Sequence, residues 1–411
     1  MKKLYLTLTC AVLCACGGGN KQQAPATTEG IVEEATTSQA VPEKEAFAQN
    51  ISIDMHKDYP EKTIRLQEVA NVRYIPLGTT DNVLFNGTII NLSDDGIAGF
   101  NKKDGDILLF DGNGKPVGSF NHVGQGPQDY LQIYHLDVDW KQGEVYVQDN
   151  FRQKIRIYAP DGSYLRTLNV PGTMREGDMY HFSDTHLIYY KSPDTRPFDP
   201  YQPVTLLSKK DGSTTTLPFT KEQDNVVKAT GGPFGDMKLA AKHVCSLQKL
   251  GDEVYVNEVT ADVIYRVEKS NALTPLIQRT PSYQETIGKD FFLMLTGANA
   301  RYYFFKRQQA LLEFKGNAAT DTKSTYVAYD RKQKETIRPT FINNDYPSQD
   351  IPLNKLMQCA GSPNRCFVLM EAFKLKEALE EGKLKGTLKS MAEKLDEEDN
   401  PVVMVVEFKR F

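Results

Sequence analysis

The stretch from residue 124 to 168, GQGPQDYLQIYHLDVDWKQGEVYVQDNFRQKIRIYAPDGSYLRTL, limits the fold more than any other part of the chain. It breaks into short runs at 133–139, 144–148, 154–158 and 164–168, each alternating or rich in β-branched and aromatic residues and bounded by Gly, Asp, Asn or Pro. Runs of that length and spacing read as a meander of antiparallel strands, with Asp161-Gly162 at the tight turn between the last two. A unit this small cannot bury both of its faces alone, so copies of it have to stack.

Copies are present. The third strand and its following turn read DILLFDGNGK at 106–115 and KIRIYAPDG at 154–162. Looser versions are VTLLSKKDG at 204–212, VIYRV at 263–267, TYVAYD at 325–330 and PVVMVVEF at 401–408. The copies fall about 50 to 75 residues apart, which suits propeller blades of about 40–50 residues carrying insertions. The chain is therefore expected to be all-β, a six-bladed β-propeller of four-stranded antiparallel blades. Such a ring has to close, and the strand-like segment 72–77 is placed to pair with 402–408 so that neither leaves an open edge. Between 373 and 399 the period changes. Leu375, Leu379, Leu384, Leu388, Met391 and Leu395 recur at helical spacing among Lys and Glu, which predicts a helical hairpin broken at Gly382 or Gly386 and inserted into the last blade. A second, shorter helix is expected over 283–295.

The run 124–168 resembles an NHL-type propeller repeat, in which a glycine-rich approach precedes the first strand. Within that group, Gly124-Gln125-Gly126-Pro127 followed by Tyr130 is similar to the bacterial six-bladed β-propeller lipoprotein family, whose members read G-x-G-P-G-E-Y/F. Gln128-Asp129 stands here where that family has Gly-Glu, so the turn differs in detail. Asn400-Pro401 before the last strand resembles the family's ending. The resemblance implies the propeller fold and an envelope location, and it implies no established activity.

The N-terminus points to the same compartment. Lys2-Lys3 precede thirteen uncharged residues, 4–16, the pattern of a secretory signal too short to span a bilayer. Leu13-Cys14-Ala15-Cys16 resembles a lipobox, with Cys16 the residue to be lipidated; cleavage of an ordinary signal near Ala15 is the alternative. Residues 17–49, rich in Ala, Thr, Glu, Gln and Ser, read as a flexible tether, which leaves 50–411 for the propeller. The expected location is the envelope of a Gram-negative bacterium, lipid-anchored and facing the periplasm or the surface. The chain is expected to be a monomer whose partner is the membrane, through its anchor.

A formal net charge of -4 with both signs interspersed excludes the basic stripe of a nucleic-acid binder. Cys10 and Cys14 leave with the signal, so Cys245, Cys359 and Cys366 remain. Cys359 and Cys366 could close a short loop as a disulfide, or all three could stay buried and free. Their spacing, without a nearby His, does not suit zinc.

Propeller ligands seat where loops entering the first strand meet loops joining the second and third. Here those loops supply His122, Gln125, Asp129, Tyr130 and Arg152 as candidate ligand-binding residues. The competing reading is that Gly124, Gly126 and Pro127 shape a turn and Tyr130 plugs between blades. His181, Asp184 and His186 look metal-like but lie at spacings that suit neither a helix face nor a strand face. The Asp-Gly pairs at 95–96, 104–105 and 161–162 lack a full calcium loop and read as turns. The aromatic run 301–307 should alternate its side chains between two packed faces. No nucleophile elbow, P-loop or zincin motif is present, and the sequence leaves any cofactor unknown. Binding of a glycan, peptide or partner protein is thus the expected function, with a metal-assisted lactonase or lyase, or a protein-docking scaffold, as alternatives.

Overall fold

The computed structural model describes residues 51–411 except 150, 171–173, 192–199, 223–225, 231–236, 241–245, 287–290, 310, 316–317 and 320–322. The signal segment 1–16 with Cys16, the tether 17–49 and Cys245 lie outside the described residues.

The chain forms a six-bladed β-propeller. Blade 1 spans Thr88–Leu92, Ile97–Phe100, Ile107–Phe110 and Pro116–Phe120; blade 2 spans His135–Asp139, Glu144–Asp149, Lys154–Tyr158 and Tyr164–Asn169. Blade 3 runs from Met174–His181 to Thr214–Thr216, blade 4 from Leu247–Leu250 to Leu273–Thr280, and blade 5 from Phe291–Ala298 to Glu335–Asn343. Blade 6 combines Arg365–Met370 and Val402–Phe408 with Ala70–Pro76, and a bridge between Met357 and Phe367 marks its inner edge. Each of the repeated segments found in the sequence is the third strand of its blade.

These third strands read as unbroken apolar runs because both of their faces are covered. Ile107 and Leu109 pack toward blade 2, while Leu108 and Phe110 pack toward blade 6. Val402, Met404 and Val406 face blade 5, and Val403 and Val405 face blade 1. Each interface between neighbouring blades has its own apolar cluster. In the run 301–307, Tyr302 and Phe304 join the cluster toward blade 6 and Tyr303 and Phe305 the one toward blade 4, as alternation requires.

Ring closure goes further than the expected single pairing. Residues 70–76 do pair antiparallel with 402–408. Before reaching that position, however, the chain adds Ile51–Asp54 in parallel to the outer strand of blade 4 and Glu61–Arg65 in parallel to that of blade 5. The N-terminal segment is thus a strap that covers three outer edges in succession, which removes the open hydrogen-bonding rows of those blades. Arg307 fixes it by donating to the carbonyls of Met55 and Lys57 at 2.9 and 3.1 Å.

The helical hairpin is present as α1 (Ala372–Glu380) and α2 (Gly386–Ala392), between the second and third strands of blade 6. Its break covers 381–385 rather than a single glycine. The helix expected over 283–295 is not formed. A single helical turn, Tyr283–Thr286, is followed by the strand Phe291–Ala298. Leu293 and Leu295 find apolar cover in the cluster between blades 4 and 5, and tertiary packing overrides the local helical pattern.

The inner segment of blade 6 reaches across the hub of the ring. Gly251 donates to the Cys359 carbonyl at 3.0 Å and Leu92 to the Ala360 carbonyl at 2.9 Å, so the inner segment of blade 6 reaches both blade 4 and blade 1, which face each other across the axis. The approach is close enough to demand glycine. A Cβ on Gly251, at φ +64°, would meet the Pro363 backbone at 2.2 Å, and one on Gly361, at φ +118°, the Leu92 carbonyl at 2.6 Å.

Candidate functional site

In a propeller the loops entering each first strand and those joining second to third strands share one face, called the upper face below. The residues singled out in blade 2 meet there, and most of their polar atoms build the loop itself. Tyr130 is buried; its hydroxyl donates to the Gly105 carbonyl and accepts from the His122 amide, both at 3.0 Å. Burial pushes its pKa up to about 12. The Asp129 carboxylate accepts from the Gly126 amide at 2.7 Å. Arg152 donates to the carbonyls of Gly124, Gly126 and Asp129 at 3.3, 3.0 and 2.9 Å. His122 stacks on Tyr158, with ring centroids 4.9 Å apart, and its Nε2 lies 2.8 Å from the Gly162 carbonyl. Gln125 alone of the five is exposed.

A groove of about 590 Å³ opens on the same face between blades 5 and 6. Both of its walls are departures from the four-stranded pattern. One is α1, with its exit through Lys383. The other is the strand Tyr346–Pro352, which extends the connection from blade 5 into blade 6 and pairs with Glu335–Asn343. Val368, Met370 and Met404 form the floor; Glu371, Lys374 and Glu377 stand on the helical rim, and Asp350 and Lys355 on the other. This apolar floor under a mixed-charge rim is the composition of a ligand cleft, and its volume falls within the usual range of about 300–1,000 Å³. Sequence reading located the hairpin but not the groove. The available signal was the long stretch between the strand pattern ending near 343 and the next one near 365.

The lower face carries a buried polar network where inner strands end. Lys249 of blade 4 lies 3.8 Å from Asp137 of blade 2 and donates to the His181 carbonyl of blade 3 at 2.7 Å. Burial works against the Asp137 carboxylate, but Lys249 and the His181 amide outweigh it and hold its pKa below the usual carboxylate range. Lys209 donates to Asp139 at 3.2 Å and lies 2.8 Å from His181 Nδ1. Burial, then the two lysines, pull the His181 pKa down, so the ring accepts as the neutral form. Asp184 instead points outward to Lys141 at 3.3 Å. Among the described residues no group of three or more His, Cys, Asp or Glu is arranged to hold a metal ion.

Cys359 and Cys366 are free thiols. Met357 pairs with Phe367 antiparallel, and the two cysteines belong to clusters on opposite faces of blade 6. Side chains on opposite faces cannot bridge. Burial raises the pKa of both.

No curated protein matches this sequence. Among solved structures, a Bacteroides fragilis protein described as exported superposes with a TM-score of 0.57 at 16% identity, over 88% of this chain and 99% of that one. A member of the DUF4221 family from Bacteroides vulgatus gives 0.49 at 9% identity, over 84% and 100%. BamB from Moraxella catarrhalis gives 0.39 at 10% identity, over 83% and 100%. The first likeness is one of fold. A family model matches residues 50–407, nearly the whole described domain, and the chain belongs to that family, the Domain of unknown function (DUF4934).

Proposed function

We propose that the protein is an exported lipoprotein of the cell envelope, anchored through Cys16, whose propeller binds a partner's peptide segment in the upper groove between blades 5 and 6. The groove carries the reading. It is made by two insertions into the repeat, and its half-buried Val368 and Met370 give an apolar side chain a place to settle while the charged rim orients the polar chain around it. Export and anchoring are supported by Lys2-Lys3, the uncharged run after them and Leu13-Cys14-Ala15-Cys16. The description of the Bacteroides fragilis neighbour as exported accords with them. Two acyl chains at Cys16 would give stable attachment where one is marginal.

Thermal unfolding of the purified full-length protein with peptides, glycans and divalent metals tests the reading, since a ligand at 100 times its Kd adds about 2.7 kcal/mol. A peptide-induced shift that Val368→Asp abolishes and Gln125→Ala leaves intact is the expected result. A shift with calcium or zinc reversed by EDTA would favour a metal-assisted enzyme instead. Metabolic labelling with a fatty acid, lost in Cys16→Ala, tests the anchor.

A further inference from the structure

The lower face holds a feature that the upper groove does not use. The tetrapeptide Glu-Val-Tyr-Val occurs at 144–147 in blade 2 and again at 253–256 in blade 4. In both copies the tyrosine hydroxyl donates to the glutamate two residues before it, and that glutamate pairs with an arginine of the same blade. Arg166 donates to Glu144 at 2.9 Å and Arg266 to Glu253 at 3.3 Å, with Glu268 holding Arg266 from its other side at 2.9 Å.

The glutamate and arginine of each triad line a cavity. The one at Arg166 is about 460 Å³ and the one at Arg266 about 410 Å³. A third, of about 590 Å³, lies between them; it shares Asp184 and Thr185 with the first and Phe182, Asp252 and Lys269 with the second. The three run on as one trough across the turn of blade 3 that carries His181 and His186, and each end has the same triad.

The chemistry of the lining selects a ligand class. The arginines are matched by carboxylates, and Lys209 and Lys249 by Asp139 and Asp137, so the trough has many donors and acceptors but little net charge. An anionic ligand would meet Glu144 and Glu253, and a cationic one Lys209 and Lys269. Planar guanidinium and carboxylate groups each present paired hydrogen-bonding atoms in one plane, which fits adjacent hydroxyls. Because they hold one another in place beforehand, little ordering accompanies binding. Half-buried Phe182 adds an apolar face at mid-trough. The same Glu-Tyr-Arg motif at both ends, two blades apart, suits a polymer that repeats.

We infer that this trough binds a neutral oligosaccharide, laid across blade 3 with its ends at the Glu144 and Glu253 triads. The test is calorimetric titration of the full-length protein with neutral glucan, xylan and mannan oligosaccharides from two to eight units. Affinity for at least one series should rise tenfold or more with length. Phe182→Ala and Lys269→Ala should each weaken it several-fold and Arg266→Met at least tenfold, while Val368→Asp in the upper groove changes nothing. Phe182→Ala and Lys269→Ala remove no buried ion pair, so the test stands even where Arg266→Met unfolds. Absence of binding in every series, affinity untouched by all three lower-face variants, or preference for uronate-bearing chains that salt abolishes would overturn the assignment. Each of these outcomes leaves the peptide reading of the upper groove to its own test.

Discussion

Ile75 and Val403 lie directly opposite each other in the antiparallel ladder of blade 6, although one belongs to the first strands of the domain and the other to the last. Both are buried. Ring closure therefore depends on apolar contact between the ends of the chain. Ile75→Ala should lower the unfolding free energy by about 2–5 kcal/mol, read from urea denaturation as an earlier midpoint with an unchanged slope. A loss below ~1 kcal/mol would mean that the strap holds the ring without this contact.

Arg152 is expected to act on the shape of the blade 2 loop. Replacing it with alanine strips a shared donor from three carbonyls and should cost about 1–3 kcal/mol, with faster proteolysis within 122–131. Lysine should not restore the loop, because a single ammonium cannot reproduce the fork of the guanidinium. Full rescue by Arg152→Lys would show that charge alone matters there.

Stability should fall on mild acidification. Burial moves the His135 pKa from 6.5 down to about 4, so between those values the unfolded chain takes up a proton at this position that the folded chain refuses. The contribution is complete above about pH 6.5 and shrinks as pH drops toward 4, by at most about 1.4 kcal/mol per unit. Asp137, held below its ordinary value, keeps its contribution through that window and loses it only at lower pH. Urea midpoints measured from about pH 7.5 to 4.5 should decline less steeply for His135→Gln than for the parent. Parallel curves would remove His135 from the account.

Cys359 and Cys366 should both be found reduced after purification without reductant. Peptide mapping should show Cys366, which is buried, alkylated only once the protein is denatured, and half-buried Cys359 slow to react in the native state because its pKa is raised. A Cys359–Cys366 disulfide peptide would contradict their placement on opposite faces.

The fold was legible where one strand carried its own two-faced pattern. DILLFDGNGK and KIRIYAPDG announce a strand and turn with no outside help, and even VIYRV, with little local signal, falls into place once the rhythm is known. The pairing with 402–408, expected over 72–77 from the need to close a ring, forms over 70–76. What sequence could not supply was context. Phe291 to Leu295 have the spacing of a short helix and become a strand because blade 4 offers apolar cover. The parallel additions at 51–54 and 61–65 leave no periodicity to detect, since short edge strands are defined by their neighbours. Likewise, Asp129 and Arg152 near Tyr130 direct their polar atoms to the backbone of their own loop, a use that the residue types alone do not reveal. The groove beside α1 needs a strand from another blade for its second wall.

The contacts of Cys359 and Ala360 with Gly251 and Leu92 make the inner segment of blade 6 a spoke between opposite sectors of the wheel. A ring of blades joined only to their neighbours can flatten into an oval, because each joint has to yield only slightly. With a rigid crossbar at the hub, flattening along that diameter has to break backbone hydrogen bonds. Blades 1 and 4 should then move together in any slow deformation.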